Sequence, residues 1–134
     1  MRTIWRVLAL ATLAVAAWSA QAGAQIPNLN HYLCHKTRDL HVPAKFTSVP
    51  GISANDEVGN FTCEAKKPFF LCNPVVKNGS PIVDANAHYC CYKVKCNPNK
   101  IPASFDVTDQ FGALRLQTSK AFLLCNPCET TAAP

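Results

Sequence analysis

The stretch Ala113-Leu114-Arg115-Leu116-Gln117-Thr118-Ser119-Lys120-Ala121-Phe122-Leu123-Leu124 can be read two ways, and the choice decides the fold. As a helix it would bring Leu114, Thr118, Ala121 and Phe122 near one face. As strand it alternates Leu114 and Leu116 with Arg115 and Gln117, the period of two expected of a half-buried strand. A second copy of the pattern separates the readings. Asn60 to Leu71 lies between Asp56-Glu57-Val58-Gly59 and Cys72-Asn73-Pro74, just as Ala113 to Leu124 lies between Asp109-Gln110-Phe111-Gly112 and Cys125-Asn126-Pro127. From Asp to Cys is sixteen positions in both, so the copies align without a gap. Pro68 stands inside the first copy and would break a helix there, whereas Phe61 and Cys63 alternate with Thr62 and Glu64. If the copies share a fold, both are strand.

Working outward, each copy is preceded by His-Tyr-x-Cys-x-Lys: His31-Tyr32-Leu33-Cys34-His35-Lys36 and His88-Tyr89-Cys90-Cys91-Tyr92-Lys93. The chain therefore reads as two units, 31–74 and 88–127, joined by a connector at 75–87 that carries the turn signal Asn78-Gly79-Ser80-Pro81. The first unit is longer by the region Pro50-Gly51-Ile52-Ser53, an insertion expected in a surface loop. Each unit offers about four short strands: the His-Tyr-x-Cys opening, a second near Lys45–Val49 or Ser104–Val107, a third after Asp-x-x-Gly, and a fourth entering Cys-Asn-Pro. Asp can accept bonds from its own downstream backbone and Gly tolerates positive φ, so Asp-x-x-Gly reads as a turn. The expected fold is all-β: two tandem pseudo-symmetric units forming one small disulfide-rich sandwich or barrel.

The first 24 residues have the three parts of a secretory signal peptide: basic Arg2 and Arg6, a short apolar run from Val7 to Ala17, and small residues before a cut after Ala22 or, preferably, Ala24. The run falls short of the roughly 20 residues a membrane span needs. Residues 25–134 then form the mature domain, whose 110 residues carry 11 Lys and Arg against 8 acidic residues, a formal +3. That charge is mild and scattered, with no basic run of the kind that marks a nucleic-acid partner or an anionic membrane surface. Secretion or periplasmic residence is the expected localisation.

All eight cysteines lie in the exported part, which reads as a disulfide framework because so small a domain buries little apolar surface. The matched positions pair most simply within each unit, Cys34 with Cys72 and Cys91 with Cys125. A pseudo-twofold axis between the units would then set Cys63 against Cys90, in place of a Leu116–Leu33 contact, and leave Cys96 for Cys128.

His-Tyr-x-Cys-[Tyr/His]-Lys, then Asp-Gln-Phe-Gly, then [Phe/Leu]-Leu-Cys-Asn-Pro together resemble a β-rich module that recurs, often in tandem, in secreted bacterial proteins. The resemblance covers nearly all of the mature chain and is closer in the second unit; Glu57-Val58 and His35 depart from it in the first. It implies export, repetition and an uncharacterised role, and it brings no active-site residues.

Sharper chemistry finds little purchase. Cys125-Asn126-Pro127-Cys128 has the form of a redox pair, which works from the start of a helix; only six residues follow, and the first unit has Val75 in place of the second Cys. His31, Cys34 and His35 could be imagined around zinc, but an oxidised Cys cannot ligate and Tyr92 stands where His35 would recur. Asp56 with Glu57, or Asp106 with Asp109, sits at a turn and reads as turn capping rather than acid–base machinery. No phosphate loop, nucleophile elbow or His-Glu-x-x-His is present. The expectation is a non-enzymatic binding or structural module with no cofactor and no metal, its partner a protein or a glycan met through the aromatic residues Tyr32, Tyr89, Tyr92 and Phe111. Two other classes remain open: a thiol–disulfide redox protein using Cys125 and Cys128, and an inhibitor presenting loop 75–87.

Overall fold

The computed structural model describes residues 29–41 and 45–133; the signal peptide read at 1–24 lies outside them. The chain is all-β. Its strands are β1 (His31–Lys36), β2 (Val49–Asn55), β3 (Asn60–Val75), β4 (His88–Asn97), β5 (Ser104–Asp109), β6 (Gly112–Gln117) and β7 (Leu123–Cys128), and no helix occurs among the described residues. A five-stranded sheet runs β1-β3-β4-β7, with β2 also on β3, and a second sheet is the hairpin β5–β6. Every ladder is antiparallel. The sheets do not close, so of the two expected arrangements the sandwich-like one fits and the barrel does not.

Ala113 to Leu124 is not helical: its first part is β6 and its last part opens β7. In the first half of the chain the corresponding segments merge into the single sixteen-residue strand β3, where two were expected. Pro68 is tolerated in this central strand because it stands at a register shift against β4, where one ladder bond is lost anyway. The Pro50–Gly51 insertion is not a surface loop either. It lies within β2, at the shift between Val49 and Ile52, where Gly51 takes φ +73°.

The two halves pair alike, residue for residue. Tyr32 faces Pro74 and Cys34 faces Cys72 between β1 and β3; Tyr89 faces Pro127 and Cys91 faces Cys125 between β4 and β7. Ala54 faces Phe61 in the β2–β3 hairpin, and Val107 faces Leu114 in β5–β6. The Asp-x-x-Gly turns behave as read. Asp56 Oδ1 accepts from Val58 N at 2.8 Å and Gly59 N at 3.1 Å, and Asp109 Oδ1 accepts from Phe111 N at 2.7 Å.

Two disulfides are those expected, Cys34–Cys72 and Cys91–Cys125, each joining cross-strand partners. The other two are not. Cys63 bonds Cys96 rather than Cys90, and Cys90 bonds Cys128 rather than leaving it to Cys96. The reason is the relation between the halves. The expected twofold axis is absent: the order β1-β3-β4-β7 lays the second half beside the first by translation along the sheet. β4 then runs antiparallel along β3, which sets Cys96 opposite Cys63 and Leu71 opposite Cys90. Cys90 meets instead the diagonal neighbour on its other side, Cys128. No cysteine is free, which fits maturation in an oxidising compartment.

The buried core is small and sits where β2, β3 and β4 meet. Phe61, Cys63 and Cys96 are buried there, with Ile52, Ala54, Val58, Val94 and Ile101 against them. Further along, Cys72 and Cys91 are buried with their sulfurs 3.9 Å apart, so two disulfides lie side by side across the sheet.

Candidate functional site

The four aromatic residues singled out above do not form one surface. Tyr32 and Tyr89 meet edge to face with centroids 5.0 Å apart. The Tyr32 charge and hydrogen bond, with some desolvation, raise Tyr89 above the usual phenol range. Tyr92 is half-buried against Phe46 at 5.1 Å and serves packing. Phe111 is 80% exposed at the β5–β6 turn, with the Lys77 ammonium 4.1 Å from its ring centroid.

A cleft of about 350 Å³ is better formed, lined by Thr37, Arg38, Asp39, Lys45, Phe46, Lys67, Pro68 and Phe69. It arises where the chain leaves β1: Thr37 N still bonds Phe69 O at 2.9 Å, and beyond it Arg38 and Asp39 turn out of the sheet. The opposite wall is the irregular part of β3 at Lys67-Pro68-Phe69, where the register shifts. The floor is apolar and partly flat: the rings of Phe46 and Phe69 with Pro68. A contiguous recess extends it past His41.

Its electrostatics are one-sided. Asp39, the only carboxylate among the described residues that line the cleft, is committed to structure. One oxygen accepts from His41 N at 2.9 Å and the other from Phe46 N. These backbone bonds hold the carboxyl below its usual range, with smaller help from the His41 and Lys45 charges. Arg38, Lys45 and Lys67 make no salt bridge among the described residues. Lys67 also stands directly across from Lys93 on β4, a like-charge pair that disfavours the ladder. The Lys93 ammonium lies 4.3 Å from the centroid of the Phe69 ring.

Sequence reasoning missed this site. Arg38, Lys45 and Lys67 are widely spaced in the chain and look like scattered solvated charges; only the bend after β1 and the β3 irregularity bring them together. The metal and redox candidates fare differently. His31 and His35 lie on one face of β1, as read, and no group of three or more His, Cys, Asp and Glu is placed to hold a metal among the described residues. Cys125 and Cys128 belong to separate bridges, to Cys91 and Cys90. His88 is tied by Nδ1 to Asn73 Oδ1 at 3.0 Å and by Nε2 to Thr130 Oγ1 at 3.2 Å, which joins β4 to the end of the chain. The 75–87 connector turns tightly at Asn78–Gly79, and Asn30 fastens it through Val83 N and Asp84 N.

Comparison with protein-family models, with curated proteins and with solved structures finds no match.

Proposed function

We propose that the protein is an exported, non-enzymatic binding module, built as a tandem repeat, whose basic cleft takes an acidic polysaccharide bearing carboxylate or sulfate groups. The observation that carries this is the cleft's charge. Three cations with no salt bridge among the described residues surround an apolar floor whose carboxylate, Asp39, already accepts two backbone bonds. An anion there would relieve the repulsion between Lys67 and Lys93, and the ring and proline faces suit the flat faces of sugar rings. An open, chain-accessible cleft favours a polymer over a small enclosed ligand. A thiol–disulfide role gains nothing from Cys125 and Cys128, which do not pair with each other.

A glycan array probed with the purified, oxidised protein tests the reading. Acidic glycans are expected to bind and neutral ones not, with affinity falling as salt rises. The Lys45→Ala, Lys67→Ala double variant should lose about tenfold in affinity or more while keeping all thiols oxidised. Retention confined to neutral glycans, to acidic peptides, or undiminished in the double variant would sink it.

A further inference from the structure

Among the described residues, the β1-β3-β4-β7 path of the five-stranded sheet ends on β1 and β7, each paired on one side only, and β2 shares with β1 the same side of β3. Both are unusually inviting. Soluble proteins guard edge strands with charged side chains, prolines or bulges, yet β7 reads Leu-Leu-Cys-Asn-Pro-Cys without one charge, and β1 carries only Lys36 at its end and His31 and His35 within. Pro127 is the sole guard on β7, and the same residue type at the same place, Pro74, lies beyond the paired part of β3 and does not prevent β4 from docking there.

The molecule also shows what such edges accept. β4 opens the second half as β1 opens the first, and β7 closes the second half as the end of β3 closes the first, with matching registers. At the internal junction Phe70 faces Cys91, Leu71 faces Cys90 and Cys72 faces Tyr89. On the open edges the corresponding residues are Leu123, Leu124 and Cys125 of β7, and Cys34, Leu33 and Tyr32 of β1. Leu33, 54% exposed, would meet Leu124 as Cys90 meets Leu71. Tyr89, which touches Tyr32 across β3, would touch a second Tyr32 across β7 in the same way.

We infer that β1 of a second copy of this chain pairs antiparallel with β7, continuing the sheet head to tail in the register of the internal β3–β4 junction. The occupant is a second copy because its own β1 offers the His-Tyr-x-Cys pattern that β4 uses on β3. Such a contact is heterologous: each copy keeps one open edge, so association grows with concentration instead of stopping at a dimer. The inference is independent of the cleft and of any ligand in it.

Sedimentation velocity of the oxidised protein over a wide concentration range should show masses that increase stepwise. Leu33→Lys and Leu124→Lys each place a charge on one edge and should each weaken self-association by about tenfold or more. Mixed together, they should form a dimer and nothing larger, because the intact β7 of the first meets the intact β1 of the second. A test without substitutions is photo-oxidative dityrosine cross-linking of mixed light- and heavy-isotope copies, which should link Tyr89 of one copy to Tyr32 of another. A monomer at every concentration overturns the inference, as do self-association of Leu33→Lys at wild-type strength, a mixture that stays monomeric while both variants keep zero free thiols, and dityrosine confined to single copies.

Discussion

The hairpins β2–β3 and β5–β6 are local twins with different fates. Both turn on Asp-x-x-Gly, and both line up one apolar ladder: Ile52 with Cys63 and Ala54 with Phe61 in one, Phe105 with Leu116 and Val107 with Leu114 in the other. In the first, β4 lies along the second edge of β3, and Val94, Cys96 and Ile101 cover the ladder until Phe61 and Cys63 are buried. In the second, no strand among the described residues flanks β6, and Leu114 and Leu116 stay 52% and 50% exposed. The β5–β6 hairpin is closed at its base, where Thr118 Oγ1 accepts from Ala103 N and donates to Ile101 O. A hairpin alone is marginal in water, and the third strand supplies both hydrogen bonds and burial.

Removing what fixes that third strand should make the twins alike. Replacing Cys63 and Cys96 together by Ala opens a bridge with sequence separation 33, and a loss of about 3 to 4 kcal/mol on the loop-closure model is expected. Chemical denaturation checks the size, and amide exchange in β3 should rise toward that of β6. Next in size, Phe61→Ala should cost about 3 kcal/mol and its counterpart Leu114→Ala less than about 1 kcal/mol, since only the first leaves a cavity. Equal losses in denaturant titrations would mean that the β5–β6 ladder is covered after all.

The smallest difference concerns the turn glycines. A Cβ on Gly59 would come 2.7 Å from Ile101 Cδ1, whereas one on Gly112 meets nothing within 4 Å. Both positions have positive φ and dislike Ala. The tip of Ile101 must also move in Gly59→Ala, so that variant should melt lower than Gly112→Ala by an amount equivalent to about 1 kcal/mol. The Asp106–Arg115 ion pair on the polar face of β5–β6 is exposed at both partners and adds no comparable support.

Much of the fold is legible in the sequence. Pro68 against Ala121 ruled out the helix, Asp-x-x-Gly marked both turns, and matched cysteines located two bridges. What escaped was any feature that depends on neighbours remote in sequence. The merger of two strands into β3 requires β4 alongside, and the true partners of Cys63 and Cys90 depend on whether the halves are related by rotation or by translation. Arg38, Lys45 and Lys67 had no local signal because nothing in their spacing encodes the bend and the register shift that gather them.

The sequence by itself determined the all-β class, the turn chemistry and the two matched bridges Cys34–Cys72 and Cys91–Cys125, because alternation, Asp-x-x-Gly and the repeated Cys positions act over short range through backbone sterics and hydrogen bonds. Only the tertiary structure decided which edges are shared, which cysteines cross between halves, and where the basic cleft forms. An antiparallel edge can accept more than one partner on local grounds, and the choice is made by the burial and register of the whole sheet.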